Sequence, residues 1–255
     1  MLHAWGCLDP RWRMVALVGT RGAHRDSLHL AHELAVELCE AGFVVVSGGA
    51  IGVDAAAHEG ALAAGGCTVA VLGSGLQRLY PERNWDLFRR IARQGAVISP
   101  HDADVPPRRA HFPQRNRIVA ALAEAVVVVE APARSGALNT ARHARALGLP
   151  VLAAPRGEGA LGLLRRGAGL VQSGDDLVRV LQGKPARRMS VQGATPDEQE
   201  VLRLLVRRGG MALDEVAGLL GWRISRAAMV LLRLEVAGQV RSHAGGRFRR
   251  TSDDR

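Results

Sequence analysis

Short runs of consecutive apolar residues alternate with longer amphipathic stretches over residues 13–182. The apolar runs predict strands, which are Met14–Val18, Phe43–Val46, Thr68–Leu72, Ala96–Ile98, Ala125–Val129 and Pro150–Ala153. Helical periodicity between them predicts helices, which include Ser27–Glu40, Val53–Ala64, Arg83–Arg93, Arg115–Ala123 and Ala137–Leu147. Unbroken runs of Val, Ala and Leu are typical of parallel strands that helices cover on both faces. The fold class we predict is therefore α/β, with an open, doubly wound, mostly parallel sheet that binds ligands beyond the carboxyl ends of its strands.

A second, smaller pattern follows a change in composition near residue 183. Residues 183–195 are rich in Gly, Pro, Ser and basic residues and lack an apolar period, which predicts a linker. Thr195 as N-cap and the Pro and acidic residues after it predict a helix over Pro196–Arg208. Two more helices and a hairpin complete a small C-terminal winged-helix domain; they are Leu213–Leu220, Ser225–Ala237, Gln239–Ser242 and Arg247–Arg250. The chain should thus divide into an N-terminal extension (1–12), an α/β domain (13–182), the linker (183–195), the winged-helix domain (196–250) and a tail (251–255).

Net charge indicates the kind of partner, and cysteine usage indicates which structural sites are not expected. The 255 residues include 34 Lys and Arg against 24 Asp and Glu, a net charge of +10, which indicates a polyanionic partner without choosing among DNA, RNA and acidic membrane. The cysteines Cys7, Cys39 and Cys67 are scattered and show no metal-ligand spacing, so neither a zinc site nor a disulfide framework is expected. No apolar run approaches the ~20 residues of a membrane span, and the first residues lack a signal-peptide core. We expect a cytoplasmic protein with no membrane partner, metal or cofactor.

Four glycine-containing segments follow predicted strands and should meet at one edge of the sheet. They are Gly19–Gly22, Ser47–Asp54, Gly73–Gly75 and Glu130–Ala137. Glycine lets the backbone approach a ligand closely, and free N–H groups at a helix start attract phosphate. The spacing of a dinucleotide or P-loop site does not occur. The segments together predict a phosphate-binding pocket of another kind.

The segment Pro106–Arg117 adds positive charge and an aromatic ring. It contains four Arg, one His and Phe112 among prolines that are expected to hold it extended. Arg makes bidentate phosphate contacts and an aromatic ring stacks on a base, so the segment indicates nucleic-acid binding. A solvated basic loop is the alternative interpretation.

Two further groups are open to a chemical and a structural interpretation. Asp54 and His58 lie four residues apart on one predicted helix and share a face, so a catalytic pair is conceivable. A structural contact, or Asp54 acting as a local cap, explains them better, because no Ser or Cys nucleophile is visibly paired with them. Tyr80 and Pro81 end a loop and are equally consistent with a ligand contact and a packed turn.

Five motifs, in order and spacing, resemble those of the DNA processing protein A family, DprA, also called Smf. They are GTRGA (19–23), SGGAIGVDAAAHEGAL (47–62), VAVLGSGLQRLYP (69–81), HFPQRNRIVAAL (111–122) and VVVVEAPARSGALNTARHA (126–144). The resemblance spans residues 13–182, and the C-terminal unit resembles the winged-helix domain of many members; the N-terminal helical domain of some members is not expected here. It implies an extended Rossmann-like fold and a homodimer that binds single-stranded DNA, protects incoming strands during natural transformation and loads the RecA recombinase. It implies no catalytic turnover and therefore no catalytic residue.

The resemblance also implies a set of strand-binding residues, matched motif by motif. They are Gly19, Thr20, Arg21, Ser47, Gly48, Gly49, Ala50, Gly52, Arg115, Asn116, Arg117, Ser135 and Gly136, to which the basic segment adds Arg109 and Phe112. Ile51 stands where the family usually has Arg, and Arg21 or Arg109 is expected to compensate. Ser99-Pro100 and Pro155-Arg156-Gly157 also depart from the family pattern, which affects loop shape.

Two other functions compete with DNA-strand binding. Related Rossmann-like enzymes hydrolyse the N-glycosidic bond of nucleoside monophosphates, but their PGGxGTxxE signature is replaced here by ARSGALNTARH (133–143), without the catalytic Glu. The winged helix could instead read duplex DNA through basic residues of its third helix and wing, namely Arg223, Arg226, Arg233, Arg247, Arg249 and Arg250. Winged helices also serve as protein contacts, so this second alternative stays open.

Overall fold

A computed structural model of the chain describes residues 1–187, 195–208, 210–243 and 245–251. The chain divides into two compact units, Met1–Arg187 and Arg188–Arg255, which we call unit 1 and unit 2.

Unit 1 is built on an eight-stranded sheet with the strand order β1-β5-β4-β3-β2-β6-β7-β8. The strands are β1 (His3–Gly6), β2 (Met14–Val18), β3 (Val44–Ser47), β4 (Thr68–Val71), β5 (Ala96–Ser99), β6 (Ala125–Val128), β7 (Val151–Ala153) and β8 (Gly169–Leu170). Strand β1 pairs antiparallel with β5, whereas the other neighbours are parallel. The strand order reverses between β2 and β6, so the doubly wound, mostly parallel sheet predicted from the apolar runs is confirmed.

Helices cover both faces of this sheet. They are α1 (Arg25–Glu40), α2 (Val53–Ala63), α3 (Trp85–Gln94), α4 (His111–Leu122), α5 (Ala137–Ala146), α6 (Glu158–Arg165) and α7 (Gly174–Leu181), with a 3-10 turn at Glu82–Asn84. Val15 and Leu17 of β2 pack with Leu34 of α1 and Ala57 of α2 in one fully buried cluster. Ala16, between them, is also fully buried and points to the opposite face, because side chains alternate along a strand.

Some elements of unit 1 differ from the sequence prediction. Strand β1 lies within the predicted N-terminal extension, and β8, α6 and α7 were not predicted. The expectation that prolines hold Pro106–Arg117 extended is wrong, because α4 begins at His111. Pro113 falls in the first turn of α4, where an N–H group has no intrahelical acceptor and its absence costs nothing.

Unit 2 contains the three helices and the hairpin of a winged helix, as predicted. Its elements are α8 (Pro196–Arg208), β9 (Met211–Ala212), α9 (Leu213–Leu220), α10 (Ile224–Val236), β10 (Val240–His243) and β11 (Arg247–Arg250). Thr195 caps α8 reciprocally, since its Oγ1 accepts the Glu198 N–H (3.2 Å) and its own N–H donates to Glu198 Oε2 (2.8 Å). Strand β9, which was not predicted, joins the hairpin in a sheet of order β10-β11-β9.

Two kinds of feature are absent from the described residues. No helix among them is both long enough and apolar enough to cross a bilayer. No group of three or more His, Cys, Asp or Glu side chains among them is arranged to hold a metal ion.

Candidate functional site

An open cleft of about 300 Å³ lies in unit 1 where the carboxyl ends of β2, β3 and β6 meet. Of the fifteen residues expected to bind single-stranded DNA, ten line this cleft: Gly19, Thr20, Arg21, Gly48, Ala50, Phe112, Arg115, Asn116, Ser135 and Gly136. The chain reversal between β2 and β6 opens this crevice, which is where ligands bind in doubly wound sheets. We call it the strand-end cleft.

Arg115 is the central charged group of the strand-end cleft. The residue is only 5% exposed, and its guanidinium occupies the space that a Cβ atom on Gly48 would need. Arg115 Nη1 donates to the Val71 carbonyl oxygen at 3.1 Å, whereas the Nε–H group is buried without a partner. The glycine thus makes room for a cation, and the cation keeps unused hydrogen-bonding capacity.

The charge of Arg115 is only partly neutralised by the protein. Its Nη1 lies 4.0 Å from Asp54 Oδ2, which is too long for a hydrogen bond. Burial raises the pKa of Asp54, against the opposing effects of Arg115 and of the N–H of Ala50, which donates to Oδ2 at 3.3 Å. Burial also lowers the pKa of Arg115, but a guanidinium keeps its proton in proteins. A buried cation with one loosely placed carboxylate favours binding of an anion.

Phe112 supplies an apolar surface next to these charges. The guanidinium carbon of Arg21 lies 5.1 Å from the centre of its ring, and that of Arg115 lies 5.9 Å away. Phe112 also lines a second cavity of about 40 Å³, together with Tyr80 and Ile51. The Tyr80 and Phe112 rings are 6.0 Å apart and tilted by 58°, so Tyr80, which is 40% exposed, belongs to the rim of the site. A flat base could stack here between charges that hold its phosphates.

Three predicted residues of the Ser47–Asp54 segment are packed in the protein and do not line the cleft. Ser47 is fully buried and its Oγ donates to the Leu17 carbonyl oxygen at 2.6 Å. Gly49 (φ 65°) leaves no room for a Cβ beside the Phe88 ring, and Gly52 (φ 83°) leaves none beside the Thr20 carbonyl oxygen. These residues shape the loop that presents Gly48 and Ala50.

Arg109 and Arg117 lie outside the strand-end cleft. Arg109 is exposed in the loop before α4. Arg117 is exposed on α4, two residues and therefore about 200° around the helix from Arg115. It lies close enough to α5 to lower the pKa of His143, after burial and Arg142. Of the two residues expected to compensate for Ile51, only Arg21 lines the cleft.

The pair Asp54 and His58 is structural. His58 is fully buried, and its Nδ1 lies 2.7 Å from Thr68 Oγ1, which itself donates to the Val45 carbonyl oxygen at 2.7 Å. Since Thr68 uses its one proton, His58 Nδ1 is the donor. Burial, helped by the charge of Arg115, lowers the pKa of His58 to about 3, so the ring is neutral at neutral pH. Asp54 caps the Ala50 N–H, which is the local role that the sequence favoured.

Two lining residues carry signals that the sequence analysis did not use. Arg134 and Thr140 border the cleft from the segment that links β6 to α5 and from α5 itself. Asn116 Nδ2 donates to the Gly136 carbonyl oxygen at 3.2 Å and so joins α4 to the start of α5. Arg134 lies in the predicted Glu130–Ala137 segment, whereas Thr140 can be assigned to the cleft only when the helical phase of α5 is known.

Comparisons with known proteins agree with this fold. Residues 1–182 match the model of the family described as DNA recombination-mediator protein A, and residues 185–246 match that of the DprA winged helix domain. A relative from Mycobacterium tuberculosis is 43% identical over 239 residues, which are 89% of this chain and 61% of the relative. This chain therefore spans about three fifths of that relative's length.

Two solved structures are similar to this chain. DNA processing protein A of Streptococcus pneumoniae superposes with a TM-score of 0.67 at 38% identity, over 69% of this chain and 65% of that one. DNA processing protein A of Helicobacter pylori, described for its single-stranded DNA binding mode, gives a TM-score of 0.65 at 31% identity, over 71% of this chain and 86% of that one.

Proposed function

This chain belongs to the DNA recombination-mediator protein A family, and we propose that its strand-end cleft binds single-stranded DNA. The observation that carries the proposal is the buried, incompletely paired guanidinium of Arg115 beside the ring of Phe112. A single strand is the ligand that offers both a phosphate for the cation and an unstacked base for the ring. The Helicobacter pylori relative, whose binding of single strands is described, has the same fold.

The binding mode follows from the lining residues. Arg115 and Arg21 hold phosphate oxygens, and the backbone around Gly19 and Gly48 lets the sugar–phosphate chain approach closely. One base stacks on Phe112. None of these contacts reads the edge of a base, so binding is largely independent of sequence.

We also propose the wider role that the family suggests. The protein protects incoming DNA and loads the RecA recombinase onto it during natural transformation, acts as a homodimer in the cytoplasm, and does not turn over a substrate. One observation supports the absence of turnover. Asp54 is the one carboxylate among the described residues that line the cleft, and it already accepts the Ala50 N–H.

A binding titration tests the core of this proposal. Fluorescence anisotropy with mixed-sequence oligonucleotides should show tighter binding of single strands than of duplexes. If roughly five phosphates are neutralised, the logarithm of the affinity should fall with that of the salt concentration at a slope of about −3.5. A slope near zero, or equal binding of duplexes, contradicts it. Release of base from AMP would instead indicate an N-glycosidic hydrolase.

A further inference from the structure

A second cleft, of about 450 Å³, lies between α5 and α6 of unit 1. Its polar lining consists of Ser135, Asn139, Arg142, Arg145 and Arg166, and its apolar lining includes Leu138 and Leu163. No carboxylate is among the described residues that line it. We call it the arginine cleft.

The positive charges of the arginine cleft are held close together. Arg145 Nη2 donates to the carbonyl oxygens of Leu163 (3.4 Å) and Arg166 (3.2 Å), which fixes its guanidinium across the end of α6. Burial lowers the pKa of Arg145, and the charge of Arg166 lowers it further. Like charges held this close repel one another, and an anion between them removes the repulsion.

Asn139 adds an unused polar group to the same wall. Its Oδ1 atom is buried and has no hydrogen-bond partner. The amino group of the same amide can donate to an anion in this cleft.

The arginine cleft adjoins the strand-end cleft. Ser135 lines both, and the segment around it, with Arg134 on one side and Ala133 on the other, forms the ridge between them. A polynucleotide that leaves the strand-end cleft over Ser135 would therefore enter a groove lined by three cations.

We propose that the arginine cleft binds the phosphodiester backbone of the same nucleic-acid strand that enters the strand-end cleft. The inference rests on the proposed function of that first cleft. Planar guanidinium groups match the oxygen pairs of a phosphodiester, and a strand is long enough to cover both grooves. An acidic partner protein or a second copy of the chain is the alternative occupant of this face.

The test compares two double variants of the full chain. Arg142→Gln with Arg166→Gln removes two cleft cations and leaves Arg145 with its carbonyl contacts. Arg93→Gln with Arg165→Gln removes the same charge from exposed positions, one on α3 and one beside Arg166 on α6, and neither residue lines a described cleft. Thermal melting establishes that both variants fold, and sedimentation gives their mass.

Anisotropy is measured with oligo-dT of about 6 and about 20 nucleotides over a salt series. With the long strand, the cleft variant should bind about twentyfold more weakly at 0.1 M salt and lose roughly 1.4 from the salt slope, because each lost phosphate contact removes about 0.7. Its binding of the short strand should match that of the wild type. In the control variant, the loss of affinity for the long strand and the reduction of the salt slope should each be less than half as large.

The results that would contradict this inference can be told apart from the result that would contradict the proposed function. Equal binding of the long strand by the cleft variant and the wild type overturns this inference alone, as does an equal loss in both variants. A mass that falls only in the cleft variant assigns this face to an interface between copies and also overturns it. A wild-type protein that binds neither strand overturns the proposed function itself.

Discussion

The guanidinium of Arg115 fills the volume that a side chain on Gly48 would take. The two residues come from different motifs, since Gly48 follows β3 and Arg115 lies on α4, and their packing places a cation under the carboxyl end of the sheet. Each residue therefore depends on the other for its role in the cleft.

Gly48→Ala should displace Arg115 and weaken single-strand binding at least tenfold. The added methyl group also overpacks a buried site, which costs about 1–3 kcal/mol of unfolding free energy. Anisotropy and urea unfolding measure the two effects. Gly22→Ala is the matched control, because a Cβ at Gly22 meets nothing within 4 Å, and it should leave both quantities unchanged. Unaltered binding by Gly48→Ala would show that Arg115 does not act from its observed position.

Arg115→Ala and Arg117→Ala should differ although both remove one cation from the same helix. Loss of the buried Arg115 should weaken binding of every sequence by about 1.5–3 kcal/mol, the range of hydrogen bonds to charged groups. Loss of Arg117, which lies outside the cleft, should change affinity less than threefold, as expected for an exposed charge. Titration of several oligonucleotides checks this, and equal losses at the two positions contradict the geometry.

Phe112→Leu should weaken binding by about 1–3 kcal/mol, the usual contribution of a stacked base. Phe112→Trp should retain affinity because it keeps an aromatic face. The measurement is anisotropy with oligo-dT and with a strand that lacks bases, for which wild type and Phe112→Leu should bind equally. A loss of the same size on the baseless strand would assign Phe112 to packing.

His58 should make unfolding free energy depend on pH. Its pKa is about 3 in the fold against 6.5 for an ordinary His, so acid favours the unfolded chain, where the ring takes up a proton more readily. The stabilisation is complete above pH 6.5 and falls between pH 6.5 and pH 3, by up to about 1.4 kcal/mol per pH unit. His58→Gln should flatten the profile in this window in urea unfolding. Parallel profiles for variant and wild type would exclude His58 as the source.

The sheet was predictable because burial on both faces leaves a direct trace in sequence. Val126, Val127 and Val128 are all fully buried, so the run has no polar member to interrupt it. Strand β1 has the opposite character: three of its four residues are exposed, and its pairing with β5 is a long-range contact that no local pattern reports.

The candidate site was predictable to the level of its segments but not of each residue. A glycine that lines a cleft and one that packs against a carbonyl oxygen look the same in sequence, as Gly48 and Gly52 do. The start of α4 was hidden by the prolines before and within it, and its helical phase separates Arg115 from Arg117. A sequence motif indicates which segments lie near a ligand, whereas the backbone conformation determines which of their side chains point towards it.

Hydrogen bonds between elements hold the walls of the strand-end cleft together. Asn116 bonds the Gly136 carbonyl oxygen, the Thr20 N–H donates to the Glu130 carbonyl oxygen at 2.8 Å, and the Val53 N–H donates to that of Thr20 at 3.3 Å. The walls of the proposed binding site are thus joined to one another without a ligand, so binding of a single strand should require little ordering of the protein. Rates of association should then be limited by encounter, with little delay for reshaping of the protein.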